Sequence, residues 1–451
     1  MNFNIFSSDF KNMLINIYSP QLSTRLEYVL QFVIIEVCGL TYKIYTDENQ
    51  YLNALGPKLN YSNSAIDPNE ISMYNHGFLY DRGIKIIQPL TRSEGEQTEI
   101  FPGESGDIPF DIFSSIFYFL SRYEEYLPFE KDAHGRFEAN QSFAYRHQLL
   151  EIPIVDIYIQ RLQEKLKSKF PEIICQEQYF KVVPSIDIDQ AYLIKEKNSF
   201  RFLALCWRAI RKADVLTLRK MFEVRYTNAS DPYDVYDEFD RIHMKHNLIP
   251  IYFILYSKKK TKFDININRK NRAFRKLIQR LANKANIGIH PSYYSKSNTK
   301  IIEEEVHYLS ATSNQAINTS RQHFLKMRMP YTYKSLISIG IEHEYTMGFA
   351  SMPGFRAGTS RSFRFYDLKQ EQISFLYIHP FVLMDATYKY YLKYSPEESY
   401  ASAQKIIDQI AKVKGQFIPL WHNESMSDFA EWKGWAGLYE KIIQYACQHK
   451  G

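Results

Sequence analysis

The sequence predicts an α/β protein, with a mixed α and β region first and then a parallel sheet or (β/α) barrel. Two observations carry this reading. After about residue 176, short β-branched or aromatic runs such as Phe180–Ile186, Ile249–Leu255 and Asn286–Ile289 alternate with amphipathic stretches of helical spacing. Strands alternating with helices build parallel sheets whose active sites sit at the C-terminal strand ends. The chain of 451 residues also exceeds one ordinary domain, taken as roughly 100–200 residues. The expected division is 1–175 and 176–451.

In the first part, Ser23–Val37 is apolar at helical spacing and Tyr42–Tyr45 alternates as a strand does. A turn-rich stretch, Asn60–Asn75, follows. Asp111–Tyr126 combines an Asp at the N-cap position with a strong apolar face, which predicts a buried helix. Pro153–Lys169 predicts another helix with Pro near its start, and Pro171 punctuates the chain. In the second part the runs have little polarity, which suits strands buried on both faces. Phe375–Ile378 and Gln416–Leu420 are further strand candidates. Asp231–His246, Asn271–Ala285 and Pro396–Val413 are the helices expected between them.

Composition narrows the partners. Apolar residues make up 45% and charged residues 24%, as in a globular protein with a proper core. The net charge of +6 is too mild to imply a nucleic-acid partner. The densest basic stretch, Lys258–Lys262, reads as a solvated loop, or else as a patch for anionic glycans or an anionic membrane surface. The 35 Tyr and 31 Phe suit core packing, and some could line a sugar groove. Cys38, Cys175, Cys206 and Cys447 are scattered without CxxC spacing, which predicts reduced thiols in the cytoplasm. Neither a secretory leader nor a transmembrane segment is legible.

The chemistry-bearing residues sit just after these strands. Asp187 and Asp189 follow one in Pro-Ser-Ile-Asp-Ile-Asp-Gln, His290 follows another in Gly-Ile-His-Pro, and His422 a third in Pro-Leu-Trp-His. Carboxylates and imidazoles at separate strand ends converge only if the sheet is parallel, and together they fit a divalent-metal hydrolase. Taken singly, the aspartates could be turn or N-cap residues, and each His a hydrogen-bonded structural residue.

In that order the motifs resemble the NodB-type polysaccharide deacetylases, in particular their intracellular bacterial branch, over roughly residues 180–440. The resemblance implies a deformed (β/α) barrel preceded by a mixed α/β accessory domain. It implies Asp187 as general base, Asp189 as metal ligand, Arg321 (in Ser320-Arg321-Gln322-His323) as the group orienting the base, and His422 as general acid. The implied cofactor is a divalent metal ion, zinc, and the implied substrate an N-acetylated, less readily an O-acetylated, sugar. Trp421, Arg356 and Tyr294 are the candidate substrate contacts.

One departure matters. The family's second motif is His-x-x-x-His, and the fourth position after His290 is Tyr294. His323 is the candidate for the missing imidazole, beside His290 and Asp189; otherwise it is a packing or substrate residue. Two further readings stay open. One is a catalytically impaired glycan-binding or scaffold protein of a surface-polysaccharide pathway. The other is a different metal hydrolase, such as a phosphoesterase.

Overall fold

The computed structural model describes residues 13–450 apart from 198, 228, 296 and 297. The chain forms two compact units. The first comprises Met1–Leu127, Ile154–Gln178 and Arg364–Ser374; the second comprises Pro128–Pro153, Tyr179–Phe363 and Phe375–Gly451.

The first unit holds a four-stranded parallel sheet of β1 (Leu14–Tyr18), β2 (Thr41–Tyr45), β3 (Lys58–Tyr61) and β4 (Ile71–Met73), in the order β2-β1-β3-β4. The apolar stretch after Ser23 is helix α1 (Thr24–Leu30), continued in wider turns over Gln31–Val37. Helix α2 (Ile112–Leu120) is buried along its whole length, and the Asp111 side chain caps it by accepting from the Ser114 amide at 2.8 Å. Helix α3 (Ile154–Lys169) begins directly after Pro153.

The second unit is built on parallel strands β5 (Ser185–Ile188), β6 (Ile251–Leu255), β7 (Asn286–His290), β8 (Thr319–Ser320), β9 (His343–Glu344), β10 (Gln372–Ile378), β11 (Leu383–Met384) and β12 (Pro419–His422). Their order is β10-β9-β8-β7-β6-β5-β12-β11. Every pairing along this run is parallel. β5 and β6 are buried at every residue, as their lack of polar alternation predicts. The strand order is open, so the expected barrel does not close among the described residues. β11 stands at one edge and is only two residues long, too short to carry a closing ladder.

Helices connect these strands: α4 (Ser199–Arg211), α5 (Val215–Tyr226), α6 (Tyr236–Lys245), α7 (Arg272–Ala282), α8 (Thr299–Ser313), α9 (Tyr331–Ser338) and α10 (Pro396–Lys412); α11 (Ala436–Cys447) follows β12. No helix among the described residues is long and apolar enough to cross a membrane.

One glycine fixes the centre of the sheet. Gly288 on β7 lies in register with Phe253 on β6, and a Cβ there would meet the Phe253 ring at 2.7 Å. Without a side chain at 288 that ring can spread beside β7. The Arg321 guanidinium stacks on it at 4.3 Å from the ring centre.

Candidate active site

Strand register brings the predicted residues together. Asp187 on β5 pairs with His422 on β12 and with Phe253 on β6, and partners in a parallel ladder carry their side chains on the same face. Asp189 lies two residues on, hence on that face too. His290, at the end of β7, lies two beyond Gly288. The loop after β8 adds Arg321 and His323 from the next strand end.

Arg321 is fully buried and held by three acceptors. It donates to Asp187 Oδ1 at 2.8 Å, to Ser185 Oγ at 2.7 Å and to the Tyr345 carbonyl at 3.0 Å. One oxygen of Asp187 is thereby fixed, and the other faces His290 Nε2 at 3.6 Å.

Asp189, His290 and His323 form a cluster in which one potential ligand atom from each lies within 4.8 Å of the others. His290 Nδ1 is 2.7 Å from the Arg321 carbonyl, which can only accept, so that nitrogen carries the proton. Its Nε2 lies 3.3 Å from Asp189 Oδ1. His323 repeats the pattern. Its Nδ1 donates to Asp264 Oδ1 at 3.2 Å and its Nε2 lies 3.4 Å from Asp189 Oδ2. Burial opposes a charge on His323, but the Asp189 and Asp264 carboxylates outweigh it and raise its pKa to about 9. Burial likewise opposes ionisation of Asp189, yet the two imidazoles hold its carboxyl well below the usual range.

These features fit a divalent cation. Asp189 Oδ1 is buried and makes no hydrogen bond. Each imidazole has its outer nitrogen tied to an acceptor, the arrangement that fixes metal-ligating histidines. One carboxylate with two imidazole nitrogens is a three-ligand set of the kind catalytic zinc uses, leaving a position open.

Opposite this cluster, His422 Nδ1 donates to Asp385 Oδ1 at 2.7 Å, and its backbone N–H donates to Asp385 Oδ2 at 2.8 Å. Burial lowers the imidazolium's stability, but the Asp385 carboxylate, then Asp189 and Asp187, raise its pKa to about 10. His422 therefore carries a proton near neutral pH. Glu424 moves the other way: burial and the charge of Asp189 push its carboxyl up to about 7, and it accepts from Gln190 Nε2 at 3.1 Å.

Asp187, Asp189, His290, His323, His422 and Glu424 open on one cavity of about 320 Å³. Its other walls include Arg136, Phe324, Tyr390, Tyr391 and Trp432. Arg136 is pinned by Asp132 at 2.6 Å, the Phe324 carbonyl at 2.9 Å and the Tyr391 hydroxyl at 2.9 Å. Aromatic walls with a few fixed polar groups suit a sugar-sized ligand.

Three sequence-predicted contacts lie elsewhere. Trp421 pairs with Ile186, one step out of phase with His422, so its side chain faces away from the cavity and packs on Tyr439. Arg356 is buried, donates to the Gly348 carbonyl at 2.9 Å and stacks on Phe349. Tyr294 is half exposed beside Tyr293 and Phe263 and does not line the cavity. Conversely, Asp385, Asp264 and Glu424 escape a reading of the sequence. Asp385 carries the same signal as Asp187, an acid after an apolar run, but β11 is too short to stand out. Asp264 sits after a lysine-rich loop with no pattern around it. Glu424 is two residues past His422, where strand alternation could have pointed to it.

The family model DUF7033, described as a family of unknown function, matches residues 15–171. No curated protein matches the chain. Among solved structures, a Mycobacterium smegmatis protein assigned as a polysaccharide deacetylase matches at 13% identity and a TM-score of 0.39, over 60% of this chain and 85% of its own. A polysaccharide deacetylase from Bacillus cereus matches at 8% identity and a TM-score of 0.27, over 59% of this chain and 86% of its own. A CE4-family pseudoenzyme from Bacillus anthracis matches at 9% identity and a TM-score of 0.28, over 58% and 60%.

Proposed function

We propose that the second unit, which holds most of residues 176–451, forms a metal-dependent deacetylase of the NodB type, of its intracellular branch, acting on an N-acetylated sugar in glycan biosynthesis, with the first unit, most of 1–175, as an accessory domain. We place it in the cytoplasm on its scattered cysteines. The observation that carries the reading is that Asp187 and His422 line one cavity beside the Asp189–His290–His323 cluster. Zinc bound by those three residues would supply polarisation of the amide carbonyl and a lowered pKa for water.

The remaining work falls to the chain's own groups. Asp187 takes the proton from the attacking water through Oδ2, while Arg321 fixes Oδ1 in place. His422 delivers its Nε2 proton to the nitrogen that leaves, because an amide anion does not depart near neutral pH. Asp385 holds the imidazolium in place through Nδ1 and stabilises its charge. The walls around Tyr390, Tyr391 and Trp432 exclude water and orient the ring.

The test is acetate release from N-acetylated oligosaccharides by zinc-loaded protein, with metal content measured in parallel. Each proton-transfer role is worth about 10²–10⁴ in rate. Asp187→Asn and His422→Ala should each lose activity on that scale while keeping their metal. Wild-type protein that binds no divalent metal but still binds the oligosaccharide would overturn the enzyme reading in favour of a glycan-binding role.

A further inference from the structure

The hairpin of α4 and α5, inserted between β5 and β6, packs with one face only. Phe202, Cys206 and Ala209 of α4 join Met221 and Val224 of α5 in a small core closed by Ile194. Phe200, Leu203, Trp207 and Ile210 follow a spacing of three, four and three residues, which places them on a single neighbouring stripe of α4. All four are exposed, from 55% to 83%. Val215 and Leu216, at the start of α5, are exposed as well. A soluble surface seldom leaves so many large apolar side chains together.

Charge is concentrated in the same place. Between Lys195 and Tyr226 nine basic and three acidic residues give +6, equal to the net charge of the whole chain. Arg208, Arg211 and Lys212 are exposed on or just after α4. The Lys258–Lys262 loop adds to this surface: burial and the nearby Arg201 guanidinium hold the Lys260 ammonium below its usual value. An apolar stripe edged by cations matches a lipid bilayer with anionic headgroups, where the apolar residues enter the acyl boundary and the cations meet phosphates. A second copy of this chain would meet the same positive charge, which opposes pairing through this face.

We propose that the α4–α5 hairpin docks the protein on an anionic membrane surface, with Phe200, Leu203, Trp207 and Ile210 as the inserted residues. The surface adjoins the active site, because Arg201 and Arg208 line a cavity of about 550 Å³ that shares Glu424 with the catalytic one. The proposal does not depend on the reaction.

The full chain is tested by flotation with phosphatidylcholine vesicles containing or lacking phosphatidylglycerol. Trp207 is an internal reporter, since the other tryptophans, Trp421, Trp432 and Trp435, are buried. Binding is expected only with phosphatidylglycerol, with a blue shift of emission that Trp207→Phe abolishes and release at high salt. Phe200→Ser with Trp207→Ser should weaken partitioning at least about tenfold, and each neutralisation among Arg208, Arg211 and Lys212 about fivefold. These residues are exposed, so unchanged circular dichroism separates lost binding from misfolding. Absence of binding to anionic vesicles overturns the proposal. So does equal binding to neutral ones, or a dimer in solution that Phe200→Ser and Trp207→Ser convert to monomer without any lipid binding.

Discussion

Whether Asp189, His290 and His323 can hold a cation depends on what each imidazole does with its other nitrogen. The Arg321 carbonyl and the Asp264 carboxylate each claim Nδ1, which leaves both Nε2 atoms directed at Asp189. Asp264 is itself held by the Tyr293 amide at 2.8 Å and Thr261 Oγ1 at 2.7 Å, so it acts as a rigid second support. Asp264→Ala should therefore weaken zinc affinity by about 10–100-fold, measured by chelator competition, with little change in fold. Unaltered affinity would show that His323 is not a ligand. Asp385 plays the parallel part for His422. Its carboxylate raises the imidazolium pKa, so the acid form persists to about pH 10 and is lost as pH rises through that value. Asp385→Asn removes the favourable charge and should move the alkaline limb of the kcat profile to lower pH. An unmoved limb would exclude His422 as the acid.

At the scale of the element, a two-residue period decides function. His422 and Trp421 are neighbours on β12, and only His422 shares the face of Asp187. Trp421 is fully buried on the opposite face against Tyr439, so Trp421→Ala should destabilise the second unit by about 3–5 kcal/mol in urea unfolding. KM of the folded fraction should stay near wild type; a large rise in KM with unchanged stability would restore Trp421 as a substrate contact. The same period explains what the sequence made legible. Asp187, Asp189, His290 and His422 end or follow apolar runs long enough to read as strands, so their convergence follows from a parallel sheet. β8, β9 and β11 are two residues each, too short for any periodicity. The positions that hang from them or from irregular loops, Asp385 and Asp264 above all, therefore had no frame. That His323 joins Asp189 and His290 is likewise a matter of three-dimensional reach, since it approaches from a different strand end than His290.

For the molecule as a whole, buried carboxyls and buried imidazoles pull the response to pH in opposite directions. Glu344 at the end of β9 is fully buried; burial raises its pKa to about 7, although the Thr346 hydroxyl and amide both donate to it. Burial raises Glu305 to about 7 as well, against hydrogen bonding from Ser292. A folded pKa above the unfolded 4.5 means that the native state holds the proton more tightly. That contribution is complete below pH 4.5, falls by about 1.4 kcal/mol per pH unit for each group, and is gone above about pH 7. Glu344 alone should thus contribute a decline of about 2 kcal/mol from pH 5 to pH 7, opposed up to pH 6.5 by the buried His243 and His379 imidazoles, whose pKa burial lowers to about 4 and about 3. Glu344→Gln keeps an acceptor for Thr346 and never ionises, so it should flatten that decline by its share and leave the variant more stable than wild type at pH 8. All four tryptophans lie in the second unit, so urea unfolding followed by their emission reports on this unit alone. An identical slope in wild type and Glu344→Gln would show that Glu344 is accommodated as a carboxylate, and that the decline arises elsewhere.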